Sequence, residues 1–239
     1  MALHSTAGRR TDTGRHMKAY PATALAEGDE AAQAIAEVLR EGGIACVPCG
    51  GTYRLVCDAL DTGAVMRLMA VKRRTGHAPS LVFVADESGL EQIADEVSET
   101  LRVLVRALWP APLTVLVKPS DLLPGKVLKQ LTKANRRLGV RVPADPAMRA
   151  VMKAFGGPIL ASSANREKKA GASSGAVVRQ SFGARIDVFV DAGELAGGEG
   201  STIIDVDGDQ TRVTRVGAVS VERIDAALTA TGRSPAIVS

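Results

Sequence analysis

Pro158-Ile159-Leu160-Ala161-Ser162-Ser163-Ala164-Asn165 begins as an apolar run and ends in small hydroxyl and amide side chains. A run this short, preceded by Gly156-Gly157, reads as a buried strand over residues 159–161 rather than a helix. The segment before it, Pro146–Phe155, reads as a helix with proline in its first turn. A helix feeding a buried strand that ends on polar groups is the unit of an open α/β sheet, where ligands collect at strand ends. Ser163 and Asn165 are therefore placed to meet a sugar or a phosphate. The competing reading is a turn in which Ser or Asn bonds its own backbone.

The same alternation extends in both directions. Residues 29–40 read as a helix with Ile35, Val38 and Leu39 on one face, ended by Gly42-Gly43. Ile44–Val47 is a strand, and Val65, Leu68 and Met69 mark a short helix. Leu81–Val84 is a strand, and Ser98 starts a helix that turns Leu101, Leu104, Val105 and Leu108 inward. Strands follow at 113–117 and 138–142. Beyond the opening stretch come a helix near 176–182, strands at 188–190, 202–206 and 211–214, and a helix near 220–228. Residues 120–137, with Lys126, Lys129, Lys133, Arg136 and Arg137, read as a basic excursion between strands. The fold class is α/β in a single domain over residues 18–230. Residues 1–17, polar and without apolar periodicity, read as a disordered leader, and 231–239 as a C-terminal tail.

Composition bounds the function. With 46% hydrophobic but only 3% aromatic residues, Val, Leu, Ile and Ala must fill the core, and stacking on single-stranded nucleic acid is disfavoured. The net charge of +4 suits either a solvated basic face or an anionic partner such as nucleotide or RNA. Cys46 and Cys49 form a C-x-x-C spacing, but His4, His16 and His77 supply no second ligand pair, so no metal site is expected. The odd cysteine count, without a secretion signal or a membrane-length apolar run, points to a soluble cytoplasmic protein.

Four constellations carry chemistry. In Lys72-Arg73-Arg74 three cations close a helix; they favour its dipole, and Lys-x-Arg also sets two charges on one side of an extended segment, where they can grip phosphate oxygens. Arg141, inside the apolar strand Gly139-Val140-Arg141-Val142, needs either a structural ion pair or a substrate carboxylate. Ser163 and Asn165 are the third set. Ser201-Thr202-Ile203-Ile204-Asp205 with Arg215-Val216-Gly217 fits either a hairpin or a lid over a ligand.

In order, Lys72–Pro79, Trp109–Thr114, Val140–Pro143, Ser163–Asn165, Ser201–Asp205 and Arg215–Gly217 resemble the motifs of the YrdC/YciO family of threonylcarbamoyl-AMP synthases, over residues 28 to 228. The resemblance implies a twisted mixed α/β sheet of the YrdC/RibB-like type with a large basic concave groove. It implies ATP, carried with Mg2+, bicarbonate and L-threonine as substrates, and threonylcarbamoyl-AMP and pyrophosphate as products. It further implies that the carbamoyl group goes to a tRNA adenosine beside the anticodon, with pathway proteins and tRNA or double-stranded RNA as partners and no membrane. Lys72 and Arg74 would be catalytic. Lys72, Arg74, Ser163, Asn165 and Arg215 would hold ATP, and Thr52, Arg141 and Ser201 the amino acid. A different amine substrate, or an RNA-binding module without catalysis, are the alternatives.

The chain departs from the family pattern Pro-Thr-Asp/Glu-Thr-x-Tyr-Gly-Leu, which here is Pro48-Cys49-Gly50-Gly51-Thr52-Tyr53-Arg54-Leu55. The hydroxyl expected at Gly51 is absent, so Thr52 is its stand-in if the loop shifts by one residue. Arg54 replaces the usual glycine, and Phe83 stands where a histidine is frequent. The phosphate half is thus better kept than the amino-acid half.

Overall fold

A computed structural model describes residues 17–27, 29–72, 81–132, 136–165 and 172–238. Its strands are β1 (Lys18–Pro21), β2 (Ala45–Cys49), β3 (Thr52–Asp58), β4 (Leu81–Phe83), β5 (Leu113–Val117), β6 (Leu138–Arg141), β7 (Ile159–Ser163), β8 (Val188–Asp191), β9 (Thr202–Asp207), β10 (Gln210–Arg215) and β11 (Ile237–Val238). Its helices are α1 (Ala24–Glu27), α2 (Asp29–Arg40), α3 (Thr62–Val71), α4 (Glu87–Ile93), α5 (Glu99–Leu108), α6 (Gly125–Leu131), α7 (Pro146–Phe155), α8 (Gly175–Phe182) and α9 (Val221–Thr229). The strands form one mixed sheet in the order β1-β8-β2-β3-β7-β4-β6-β5-β9-β10-β11.

Local chemistry explains most boundaries. Ser98 Oγ accepts the Leu101 N–H at 3.2 Å and starts α5, whose inward Leu101, Leu104, Val105 and Leu108 are buried as their spacing requires. Pro146 opens α7, and Gly156, at φ 77°, closes it in the left-handed conformation that glycine alone adopts freely. The basic stretch contains an element the sequence reading passed over. Val127 and Leu131 are buried on one side of α6, Lys126 and Lys129 face outward, and Arg137 pairs with Asp205 at 2.9 Å.

Strand β3 was also not expected. Gly50 and Gly51, at φ 61° and 74°, make a two-residue turn that pairs Cys49 with Thr52. Positive φ at both centres is the type I′ pattern whose twist matches a hairpin. Pro48 is tolerated because β2 pairs with β8 only through Ala45 and Cys46, so its missing N–H falls beyond that ladder.

Side-chain alternation divides the sheet into two faces. One packs Cys46, Leu55, Val82, Val140, Leu160, Ile204 and Val213 beneath α3, α5 and α9. The other packs Val47, Val56, Phe83, Ile159 and Ala161 beneath α2 and α7. Cys46 and Cys49 fall on opposite faces of β2, so the C-x-x-C pair cannot act together.

Two contacts set the site-bearing loops. Tyr53 stacks on Phe189; its hydroxyl donates to the Gly193 carbonyl and accepts the Ala192 N–H, each at 2.9 Å. That anchors the chain leading to Gly197, whose carbonyl lies 1.8 Å from where a β-carbon on Gly51 would stand. Replacing Gly51 with threonine, the residue of the family pattern, is therefore expected to destabilise the protein by about 2–4 kcal/mol through left-handed strain and overpacking, read as a lower urea midpoint. Thr202 is fully buried; its hydroxyl donates to the Val219 carbonyl and accepts the N–H groups of Gly217 and Val219 at 2.9 and 3.1 Å. Thr202→Val strands those backbone groups, and a loss of roughly 2–4 kcal/mol is expected in the same measurement.

Candidate functional site

The strand registers bring Arg54, Ser163, Phe83 and Arg141 to one face. Arg54 pairs with Ser163 across β3 and β7, Ile159 with Phe83 across β7 and β4, and Phe83 with Arg141 across β4 and β6. Directly paired residues share a face, and so do alternate residues along a strand. Arg54, Ser163, Phe83 and Arg141 therefore project to the side on which α2 and α7 pack. Those helices cover the sheet from β8 to β4. Past them, toward β9, the same face carries Arg141.

Lys72 organises the first part. It follows α3 directly, where its backbone N–H bonds the Leu68 carbonyl, and its side chain is only 1% exposed. The ammonium donates to Ser162 Oγ at 2.9 Å, to the Ser163 carbonyl, and to Asn165 Oδ1 at 3.4 Å. Ser163 Oγ also donates to Asn165 Oδ1 at 2.8 Å, and the Asn165 N–H returns to the Ser163 carbonyl at 2.9 Å. The segment turns through that backbone bond, while the Ser163 and Asn165 side chains bond each other rather than their own backbone. Three acceptors match the three N–H bonds of an ammonium, and the long contact to Asn165 is the weakest of them.

Arg141 organises the second part. It is 4% exposed; Nη1 donates to Ser201 Oγ at 2.6 Å, Nη2 lies 3.4 Å from Cys49 Sγ, and the guanidinium sits 5.0 Å from the Phe83 ring centroid. Its Nε is buried without a hydrogen-bond partner. The structural ion pair is therefore not how this arginine is accommodated: a hydroxyl, a thiol and an aromatic face surround it, with no carboxylate bonded to it among the described residues. Arg215, at the exposed rim, donates from Nε and Nη2 to the Ser201 carbonyl at 2.8 and 2.5 Å. Ser201 accordingly holds one guanidinium with its hydroxyl and another with its backbone. β9 and β10 form the hairpin alternative directly, with Gln210 opposite Asp207.

Arg54 joins the two parts. Burial is the main cause holding its guanidinium below the usual arginine range, and the neighbouring Arg141 and Arg215 cations add to it. Burial also pushes the Cys49 thiol up, although Arg141 and Arg54 pull the other way. Asp145, which accepts the Gly50 N–H at 3.3 Å, is the acid near this thiol.

Of the residues expected from the sequence, Lys72, Ser163 and Asn165 come together, as do Arg141, Ser201 and Arg215. Thr52 is buried on the Arg54 side of β3, and its hydroxyl donates to the Cys49 carbonyl at 3.4 Å, across the hairpin turn. Arg74 lies outside the described residues. Arg54 and Cys49 were not picked out as site residues. The signal for Arg54 was available, since it is a cation between Tyr53 and the apolar run Leu55-Val56-Cys57, as Arg141 lies between Val140 and Val142.

Comparison with known proteins shows the family of the fold. A Sua5/YciO/YrdC family model, described as telomere recombination, matches residues 37–217. The threonylcarbamoyl-AMP synthase of Pyrococcus abyssi is 30% identical over 187 residues, which are 78% of this chain and 54% of that protein. The threonylcarbamoyl-AMP synthase of Bacillus subtilis is 30% identical over 195 residues, 81% of this chain and 55% of that one. The chain thus spans about half the length of these two relatives. The crystal structure of P. abyssi Sua5 complexed with L-threonine superposes with a TM-score of 0.76 at 28% identity, covering 87% of this chain and 59% of that one. By the extent of the family match and the mixed sheet it shares with Sua5, this chain belongs to the Sua5/YciO/YrdC family.

Proposed function

We propose that this chain is an ATP-dependent carbamoyl-adenylate synthase that joins an amino acid, bicarbonate and ATP and releases pyrophosphate. The observation that carries the reading is Ser201, which couples Arg141 to Arg215 in a cluster that Arg54 connects to Ser163 and so to Lys72. Relatives named for threonylcarbamoyl-AMP make threonine the reference amino acid.

Each part has a chemical task. The amine attacks the carbon of bicarbonate, forming a C–N bond as water leaves. A carbamate oxygen then attacks the α-phosphorus of ATP, and the bond to pyrophosphate breaks. Holding carbamate and phosphorus in line supplies much of the rate. Cations that face the developing phosphoryl charge supply more. In this reading Lys72, Arg74 and Arg215 set the potential around the triphosphate, and Ser163 and Asn165 bond the nucleotide. Arg141, oriented by Ser201, takes the amino-acid carboxylate, with Thr52 beside it. Mg2+ enters as part of the nucleotide substrate. Transfer of the carbamoyl group together with its attached amino acid to a tRNA adenosine in the cytoplasm, with AMP as the leaving group, follows from the same family reading. Among the described residues no helix is long and apolar enough to cross a membrane.

The test supplies Mg-ATP, bicarbonate and a panel of amino acids and measures pyrophosphate. Release that requires both bicarbonate and an amino acid, threonine first among them, is expected; no release with any amino acid from folded protein ends the proposal. Lys72→Met, checked for folding by circular dichroism, is expected to lower the rate about 10²–10³-fold, the range for losing one preorganised electrostatic donor. Arg141→Ala is expected to raise KM for the amino acid at least about tenfold with little change in KM for ATP, since a charged hydrogen bond is worth roughly 1.5–3 kcal/mol.

A further inference from the structure

Among the described residues, Arg54 is a cation without a counter-charge. Among the described residues it makes no hydrogen bond or ion pair, and its Nε is buried without a partner. The described groups that act on it electrostatically are the guanidinium groups of Arg141 and Arg215 and the neutral thiol of Cys49. Burying that Nε without a partner costs folding energy, which an arriving anion would offset. The family pattern has glycine at this position, so the feature belongs to this chain's own version of the site.

Its place in the sheet says which anion fits. Arg54 is directly opposite Ser163, the hydroxyl assigned to the nucleotide, and within electrostatic reach of Arg141, assigned to the amino-acid carboxylate. The carbon that links amine to α-phosphorus must lie between those two. We propose that Arg54 binds bicarbonate and then the carbamate made from it, a role that rests on the carbamoyl-adenylate reading above. Bicarbonate and carbamate are planar, trigonal anions, and the flat guanidinium fork matches two of their oxygens. Positive potential at this point also favours the neutral amine over the ammonium and the intact carbamate anion over loss of CO2. The step balances as written: amine and bicarbonate give carbamate and water, and the carbamate oxygen displaces pyrophosphate from ATP.

The test compares the intact chain with Arg54→Met and Arg54→Lys. In pyrophosphate release, Arg54→Met is expected to raise KM for bicarbonate at least tenfold while KM for ATP and for the amino acid stay within about twofold, with Arg54→Lys intermediate. Nitrate, a planar trigonal anion, is expected to compete with bicarbonate in the intact chain and to lose that competition in Arg54→Met. A purely structural arginine would instead lower the melting temperature when replaced, whereas removing an uncompensated cation should leave it unchanged or higher. Broadening of the 13C-bicarbonate resonance by ATP-bound protein needs no turnover and is expected with the intact chain and not with Arg54→Met.

No broadening with the intact chain overturns the assignment of Arg54. So does an effect of Arg54→Met confined to ATP or to the amino acid, or a preference for aspartate or glutamate that vanishes in that variant. Broadening without pyrophosphate release overturns the reaction instead and leaves the anion site standing. Should Arg54→Met fail to fold, the Arg54→Lys kinetics and the intact-chain resonance decide the matter alone.

Discussion

Gly51 and Gly197 meet backbone to backbone, with no room for a β-carbon on Gly51. A β-carbon on Gly198 would likewise fall 2.5 Å from the Gly50 carbonyl oxygen. These contacts bring the approach to β9 against the β2–β3 turn, although β2 and β9 stand six places apart in the sheet order. Ser201 follows a few residues later, and with it come its bonds to Arg141 and Arg215. Glycine on both sides is the condition for that approach. A threonine at position 51 would not fit against Gly197 with the loop in this place.

The electrostatics follow from the closure. Arg54, Arg141 and Arg215 are brought within range of one another, and the groups that bond Arg141 and Arg215 are neutral: a hydroxyl, a carbonyl and a thiol. Neutral partners orient a guanidinium without cancelling its charge, so the potential remains available to an incoming anion. Lys72 works differently. Its ammonium is surrounded by acceptors from Ser162, Ser163 and Asn165, so it fixes the end of β7.

How much of this was legible in the sequence differs by element. Helices with a clear 3.6-residue period and a capping residue, such as α5 behind Ser98 and α7 between Pro146 and Gly156, were read to within a residue or two. Strand β3 was not, because Thr52, Arg54 and Asp58 interrupt its apolar pattern, and the turn signal in Gly50-Gly51 was weighed only as a departure from a motif. α6 was hidden by its charges, since Val127 and Leu131 are the residues of the helix that bury fully. The site residues were found as motifs, yet their partnership was not: no spacing along the chain announces that Ser201 will serve Arg141 and Arg215 together. Arg54 was set aside as a mismatch for the same reason. A motif comparison registers that a glycine is missing, and only the three-dimensional neighbourhood shows what the replacement faces.

The margins of the sheet have a consequence of their own. β1 contributes four residues at one border and β11 two at the other. A foreign strand seeking to extend the ladder would find only a few backbone groups on either side. So wide a sheet would ordinarily invite self-association along its borders. Here the brevity of its outermost strands, together with exposed Lys18 and Pro21 in β1, limits that hazard.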